Sequence, residues 1–112
     1  MKLKWKAWLE DDGELVFGPG RARLLRCIDR HGSLSAAAEE MDMSYRHAWS
    51  MLRASERRLG RALVERKRGG SGGGGARVTD AGRKLLACFE RLETEFHRFA
   101  EDKQDETDAL LD

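Results

Sequence analysis

Apolar residues recur along this chain in two different rhythms. From Leu3 to Leu9 they largely alternate with polar ones, and beyond Asp11-Asp12-Gly13 a short, mostly apolar run follows from Glu14 to Phe17. Alternation fits a strand, and Asp-Gly supplies the positive φ angles of a tight turn, so the spacing predicts a β-hairpin. Trp5 and Trp8 fall on opposite faces of the first strand, which leaves one of them exposed or covered by a partner subunit. After Gly18-Pro19-Gly20 the rhythm becomes helical. Pro19 suits the first helical position. Ala22, Leu24, Leu25, Cys27 and Ile28 form an apolar stripe, and Arg21, Arg23, Arg26 and Arg30 take the other side. Gly32, after His31, is a natural left-handed cap.

The stretch from Ser33 to Leu59, SLSAAAEEMDMSYRHAWSMLRASERRL, carries the most information. It predicts two short helices joined by a tight turn at Met41-Asp42-Met43. Ser33 or Ser35 caps the first. Glu39 stands one position too late to complete an ideal capping box with Ser35. Ala36, Ala37 and Ala38 are small enough to let two helices approach closely. Ser44 caps the second helix, where Ala48, Met51, Leu52 and Leu59 face the core. Tyr45, Arg46, Trp49, Ser50 and Arg53 are left on the other face, and Gly60 ends the helix. A helix pair of this kind, with aromatic and basic groups at the outer end of its second member, is how a protein presents a helix to the major groove of DNA.

Ala62 to Arg66 reads as a short strand, RGGSGGGGA (Arg68 to Ala76) as a glycine loop, and Arg77-Val78 as a brief returning strand. Two strands with a basic loop directly after a recognition helix form a wing. The loop lacks the Lys-Ser/Thr ending of a nucleotide-binding P-loop and precedes a strand rather than a helix. It also reads as a flexible linker, which is compatible with ordering on a DNA backbone. Thr79 caps the last helix, with Asp80 in its first turn where the helix dipole favours a negative charge. Leu85, Phe89, Leu92, Phe96 and Phe99 follow at steps of four, three, four and three. That heptad seam predicts dimerisation through a second copy of the same helix. The competing reading packs Phe89, Phe96 and Phe99 on the hairpin of their own subunit. From about Gln104 onward the chain reads as frayed and acidic, with Leu110 and Leu111 available to dock locally.

Charge sharpens the division. The chain has 112 residues and a formal net charge of only +1. Residues 1–78 hold 16 Lys/Arg and 10 Asp/Glu, a net of +6, and residues 79–112 hold 5 Lys/Arg and 10 Asp/Glu, a net of −5. A local field of one sign steers a polyanion even when the whole protein is near neutral. The expected organisation is therefore a DNA-binding unit over residues 1–78, and a dimerisation helix with an acidic tail over 79–112. Cys27 and Cys88 belong to no CxxC or Cys/His cluster and are expected as small buried residues. His31, His47 and His97 lack ligand spacing, and no catalytic constellation is visible. No cofactor, metal or enzymatic activity is implied. The polar N-terminus is no secretory signal and no apolar run suits a membrane helix, so a soluble cytoplasmic setting is the expectation.

The runs SLSAAAEEMDMSYRHAW and LVERKRGGSGGGGARVTDAGRKLL resemble the N-terminal DNA-binding domain of ModE-type molybdate-responsive transcriptional regulators. They are similar, more distantly, to the winged helix-turn-helix of LysR-type regulators. The likeness covers roughly Gly18 to Leu92. It implies a fold that is α+β, mainly α: a winged helix-turn-helix with an N-terminal β-hairpin and a long C-terminal dimerisation helix. It implies a homodimer on a pseudo-palindromic site in double-stranded DNA. It marks Ser44, Tyr45, Arg46, Trp49 and Ser50 as the recognition face and Arg68 to Arg77 as the wing. ModE-type regulators continue into oxyanion-sensing domains, for which no residues remain here. The chain then reads either as a naturally short, sensor-free regulator, which is the favoured expectation, or as a fragment of a longer one, and molybdate or tungstate binding is not expected of it.

The full set expected to meet DNA is Ser33, Ser35, Ser44, Tyr45, Arg46, Trp49, Ser50, Arg53, Arg68, Gly69, Gly70 and Arg77. Arg46 either forks onto a guanine edge or holds a phosphate. Trp49 is expected to be partly exposed, because Ala48 and Leu52 already define the buried stripe. Two other functional classes compete. One is a winged-helix protein–protein adaptor that uses Trp5, Trp8 and the helix seam. The other is a small-molecule sensor in the dimer cleft.

Overall fold

The computed structural model describes residues 1–67 and 75–112. Its elements are β1 (Leu9–Asp11), β2 (Glu14–Phe17), α1 (Pro19–His31), α2 (Leu34–Glu40), α3 (Tyr45–Leu59), β3 (Val64–Lys67), β4 (Gly75–Val78) and α4 (Asp80–Asp108). The order is that of a winged helix-turn-helix: a hairpin, three helices, a two-stranded wing and a long final helix.

Each boundary has a local cause. Asp12 and Gly13 both take positive φ, at 53° and 79°, which makes the two-residue turn that pairs Asp11 with Glu14. Ser33 caps α2 by accepting from Ala36 N–H at 3.1 Å, so of the two candidate serines it is the cap. Gly32 and Gly60 end α1 and α3 in the left-handed conformation. Thr79 acts in both directions: its hydroxyl accepts from Gly82 N–H at 3.1 Å and donates to the Ala62 carbonyl at 2.7 Å.

The core gathers around α1, with the hairpin, α2, α3, the base of the wing and the first half of α4 packed about it. Phe17 and Phe89 meet edge to face, with centroids 5.3 Å apart, among Leu24, Leu25, Ile28 and Leu86. Burying a side chain of this size stabilises the fold by about 1.5–3 kcal/mol. The wing is tied to this body at the end of α1, where the Gly32 carbonyl accepts from Ala76 N–H at 2.9 Å, and its own base is closed by the Leu63 carbonyl accepting from Thr79 N–H at 2.9 Å. At Gly82, α4 passes so close to β3 that a Cβ would lie 2.5 Å from the Leu63 oxygen and 2.7 Å from Val78 Cγ1.

A polar cluster joins α1 to α2. Glu40 accepts from the Cys27 thiol at 2.6 Å, meets His31 at 3.2 Å and is paired with Arg30. The hydrogen bond from Cys27, then that from His31 and the contacts of Arg30, hold the Glu40 carboxyl down at about 2. Burial, reinforced by Glu40, pushes the Cys27 thiol up, so it is a poor nucleophile.

Three expectations need correction. The first strand pairs only from Leu9, not from Leu3. Residues before it keep the period of two, with Leu3, Trp5 and Ala7 half-buried and Lys2, Lys4 and Lys6 exposed, but their neighbour is α4 rather than a strand. Trp5 stacks on Phe96 at 5.5 Å, and Leu3 N–H donates to Gln104 Oε1 at 2.9 Å. For the same reason α4 does not fray at Gln104: that side chain also donates to the Met1 carbonyl at 2.8 Å, and the helix runs on to Asp108. Finally, Cys88 is exposed, while Cys27 is buried as expected.

Candidate nucleic-acid interface

The start of α3 is the part of the molecule built for display. Ser44 accepts from His47 N–H at 3.0 Å, and the turn it caps leaves Tyr45, Arg46 and His47 exposed. Ala48 and Leu52 anchor the inner face, so Ser50 and Arg53 stand outward and Trp49 is half-buried at the rim. Three ties hold the helix from behind. Ser55 Oγ donates to the Val16 carbonyl at 2.5 Å, Arg58 donates to the Leu15 carbonyl, and Arg21 Nε donates to the Met51 carbonyl at 3.3 Å.

Trp49 is the centre of a cationic cluster. The Arg53 guanidinium lies 4.3 Å and that of Arg66 4.9 Å from its ring centroid. Each such contact contributes about 0.5–1 kcal/mol at an exposed site. Arg66 also donates from Nη2 to the Tyr45 hydroxyl at 3.0 Å. Arg66 is absent from the set expected from sequence. The signal was there: the period of two in β3 puts it on the same face as buried Val64, the face turned to α3. With the start of α2 and with β4, Tyr45, Trp49 and Arg66 border a cleft of about 550 Å³ that also includes Ser33, Ser35 and Gly75.

The remaining expected contacts divide. Ser35 is exposed, whereas Ser33 is half-buried with its hydroxyl engaged in capping. Arg77 is exposed but stands opposite Glu65 in the wing ladder and donates to it from Nε at 2.6 Å. Arg68, Gly69 and Gly70 lie outside the described residues. No group of three or more His, Cys, Asp or Glu side chains suited to a metal occurs among the described residues. No helix among them is long and apolar enough to cross a membrane.

The heptad seam splits in two. Phe89 is 1% exposed and belongs to the core of its own subunit, and Leu85 packs against that core. Phe89 is therefore not presented to a partner, which corrects its assignment to dimerisation, while Leu85 keeps part of its surface open. Leu92, Phe96 and Phe99 remain 37%, 44% and 60% exposed. The repeat is continuous in sequence, but the globular body ends near Phe89 and α4 does not. Spacing alone cannot register where the neighbour stops.

These features define the chain as a winged helix-turn-helix protein. It belongs to the lysR family of bacterial regulatory helix-turn-helix proteins, whose pattern matches residues 20–83. It is 45% identical over 85 residues to the molybdenum-pterin-binding protein MopA of Rhodobacter capsulatus, which covers 76% of this chain and 32% of the relative. It is 38% identical over 100 residues to the transcriptional regulator ModE of Haemophilus influenzae, covering 87% of this chain and 39% of that protein. The chain thus spans about a third of the length of the curated relatives it matches. Among solved structures, the DNA complex of the CbnR DNA-binding domain superposes with a TM-score of 0.59 over 75% of this chain and 91% of that one, at 23% identity.

Proposed function

We propose that the chain is a transcriptional regulator, or the DNA-reading part of one, that acts as a homodimer on a pseudo-palindromic site in double-stranded DNA. The observation that carries this reading is the exposed first turn of α3, with Tyr45 and Arg46 set beside the Arg53–Trp49–Arg66 cluster and the wing. Helix N-terminal residues in a major groove, flanked by arginines on the backbone, read sequence and bind phosphate at once. Ser44, Tyr45, Arg46 and Ser50 form the reading edge. Trp49, Arg53, Arg66 and the wing, with Arg68, Gly69, Gly70 and Arg77, meet the backbone or the minor groove. Ser33 and Ser35 face the same cleft.

Leu92, Phe96 and Phe99 supply the dimer contact, so that two α3 helices enter successive major grooves about 34 Å apart. The setting is cytoplasmic and no step is catalytic. Molybdate or tungstate binding forms no part of the proposal. Selection of bound fragments from a random duplex pool tests it. A two-fold-related consensus is expected, and Arg46→Ala should relax one position of each half-site at a cost of about 1–3 kcal/mol. A uniform loss on all sequences makes Arg46 a phosphate contact, and no enrichment of any fragment refutes sequence reading.

A further inference from the structure

Glu56 lies on the inner side of α3 with only 9% of its surface exposed, and its two oxygens do different work. Oε2 accepts from the backbone N–H of Leu63 at 2.8 Å and of Val64 at 3.3 Å, which seats the first residues of the wing. Oε1 is buried and accepts no hydrogen bond among the described residues. Its neighbour is Arg53, whose Nη1 is 3.5 Å away. A buried charge without a partner is costly, so the carboxylate and the guanidinium hold each other.

Arg53 in turn covers Trp49, and Arg66 returns from β3 to the same indole and to Tyr45. Recognition helix and wing are therefore joined twice, by Glu56 at the base of β3 and by Arg66 further along it. Two attachments fix the angle of a strand against a helix where one would leave a hinge. A glutamine could satisfy Leu63 and Val64 through its carbonyl oxygen, but it would turn an amide donor toward Arg53. The charge thus has a purpose that closing the turn does not require.

We propose that Glu56 is a positioning residue of the DNA-reading face. It sets the wing against α3 and, through its second oxygen, holds Arg53 over Trp49 so that the guanidinium meets DNA in one orientation. This rests on the DNA-binding reading above.

The test uses the full chain carrying Glu56→Gln, with Trp5→Phe and Trp8→Phe so that Trp49 is the single indole. In the free protein, Trp49 fluorescence should become more open to quenching, while the Leu63 and Val64 amides stay protected from hydrogen exchange. On a selected duplex, affinity should fall about tenfold, the size of one misplaced charge-assisted contact. On an unrelated duplex it should hold or rise, because a negative charge has been removed beside a polyanion. Arg53→Ala keeps the bonds to Leu63 and Val64, and adding Glu56→Gln to it should change affinity no further. Equal losses on both duplexes with Trp49 unchanged, or additive losses in the double variant, overturn the proposal. If wild type binds no duplex at all, the DNA reading fails instead. The Trp49 quenching then decides the positioning role: an unchanged signal overturns it and an increased one supports it.

Discussion

Arg66 and Tyr45 meet across 21 positions of sequence, the Arg66 Nη2 donating to the Tyr45 hydroxyl at 3.0 Å. One residue belongs to the wing and the other to the first turn of α3. The contact places both on one surface, and its guanidinium also lies 4.9 Å from the Trp49 centroid.

Arg66→Lys should therefore not substitute for arginine. A lysine keeps the charge but loses the planar fork that reaches the hydroxyl and the indole together. The variant should fold as wild type and bind duplex more weakly in fluorescence anisotropy. Affinity equal to wild type would reduce Arg66 to a point charge.

Gly82→Ala should destabilise the fold by about 1–3 kcal/mol, the usual cost of overpacking. The new methyl would meet the Leu63 carbonyl and Val78, neither of which is a loose side-chain end. Thermal unfolding followed by circular dichroism measures the loss.

Phe89 and Phe96 should separate fold from assembly. Phe89→Ala removes a core aromatic and should cost about 3–5 kcal/mol of stability. Phe96→Asp alters a side chain that is 44% exposed. It should leave each subunit folded and yield monomers in sedimentation velocity. A monomeric wild type would contradict the dimer.

Acid should expose the α1–α2 cluster. The Glu40 carboxyl sits at about 2 in the folded protein against an ordinary 4.5. A depressed carboxyl stabilises fully above its unfolded value, and that contribution is lost as pH falls through the folded one. Stability of wild type should thus decline between about pH 4.5 and 2, and Glu40→Gln should flatten that part of the profile in a urea-melt series.

Much of this architecture was legible in the chain because its punctuation is local. As turns and caps, Asp12-Gly13, Gly32, Ser44, Gly60 and Thr79 each act on backbone within four residues of themselves, so reading that role needs no tertiary knowledge, although Gly32 and Thr79 also bond to distant backbone. What escaped was set by distant neighbours. Leu3 to Ala7 alternate like a strand, yet α4 is what they lie on. Gln104 looks like the start of a frayed tail until Met1 and Leu3 are placed beside it. Phe89 and Phe96 are equivalent in the heptad, but the core encloses Phe89 whereas Phe96 meets the N-terminal segment at Trp5 and stays partly open. Cys88 is an apolar residue type on a helix, on a side left exposed among the described residues. At the interface, the exposed turn of α3 followed from its cap and its buried stripe. Arg66 and Glu56 escape a reading by local spacing because each reaches between α3 and the start of the wing.

The most direct test of the DNA-reading face is a titration of the wild-type chain against fluorescent duplex at 50 and 200 mM salt. A face that neutralises several phosphates should lose more than about tenfold in affinity between the two, with a slope reduced by about one for each phosphate-contacting arginine removed. Binding that is absent, or indifferent to salt, would contradict the account and favour a surface made for another protein.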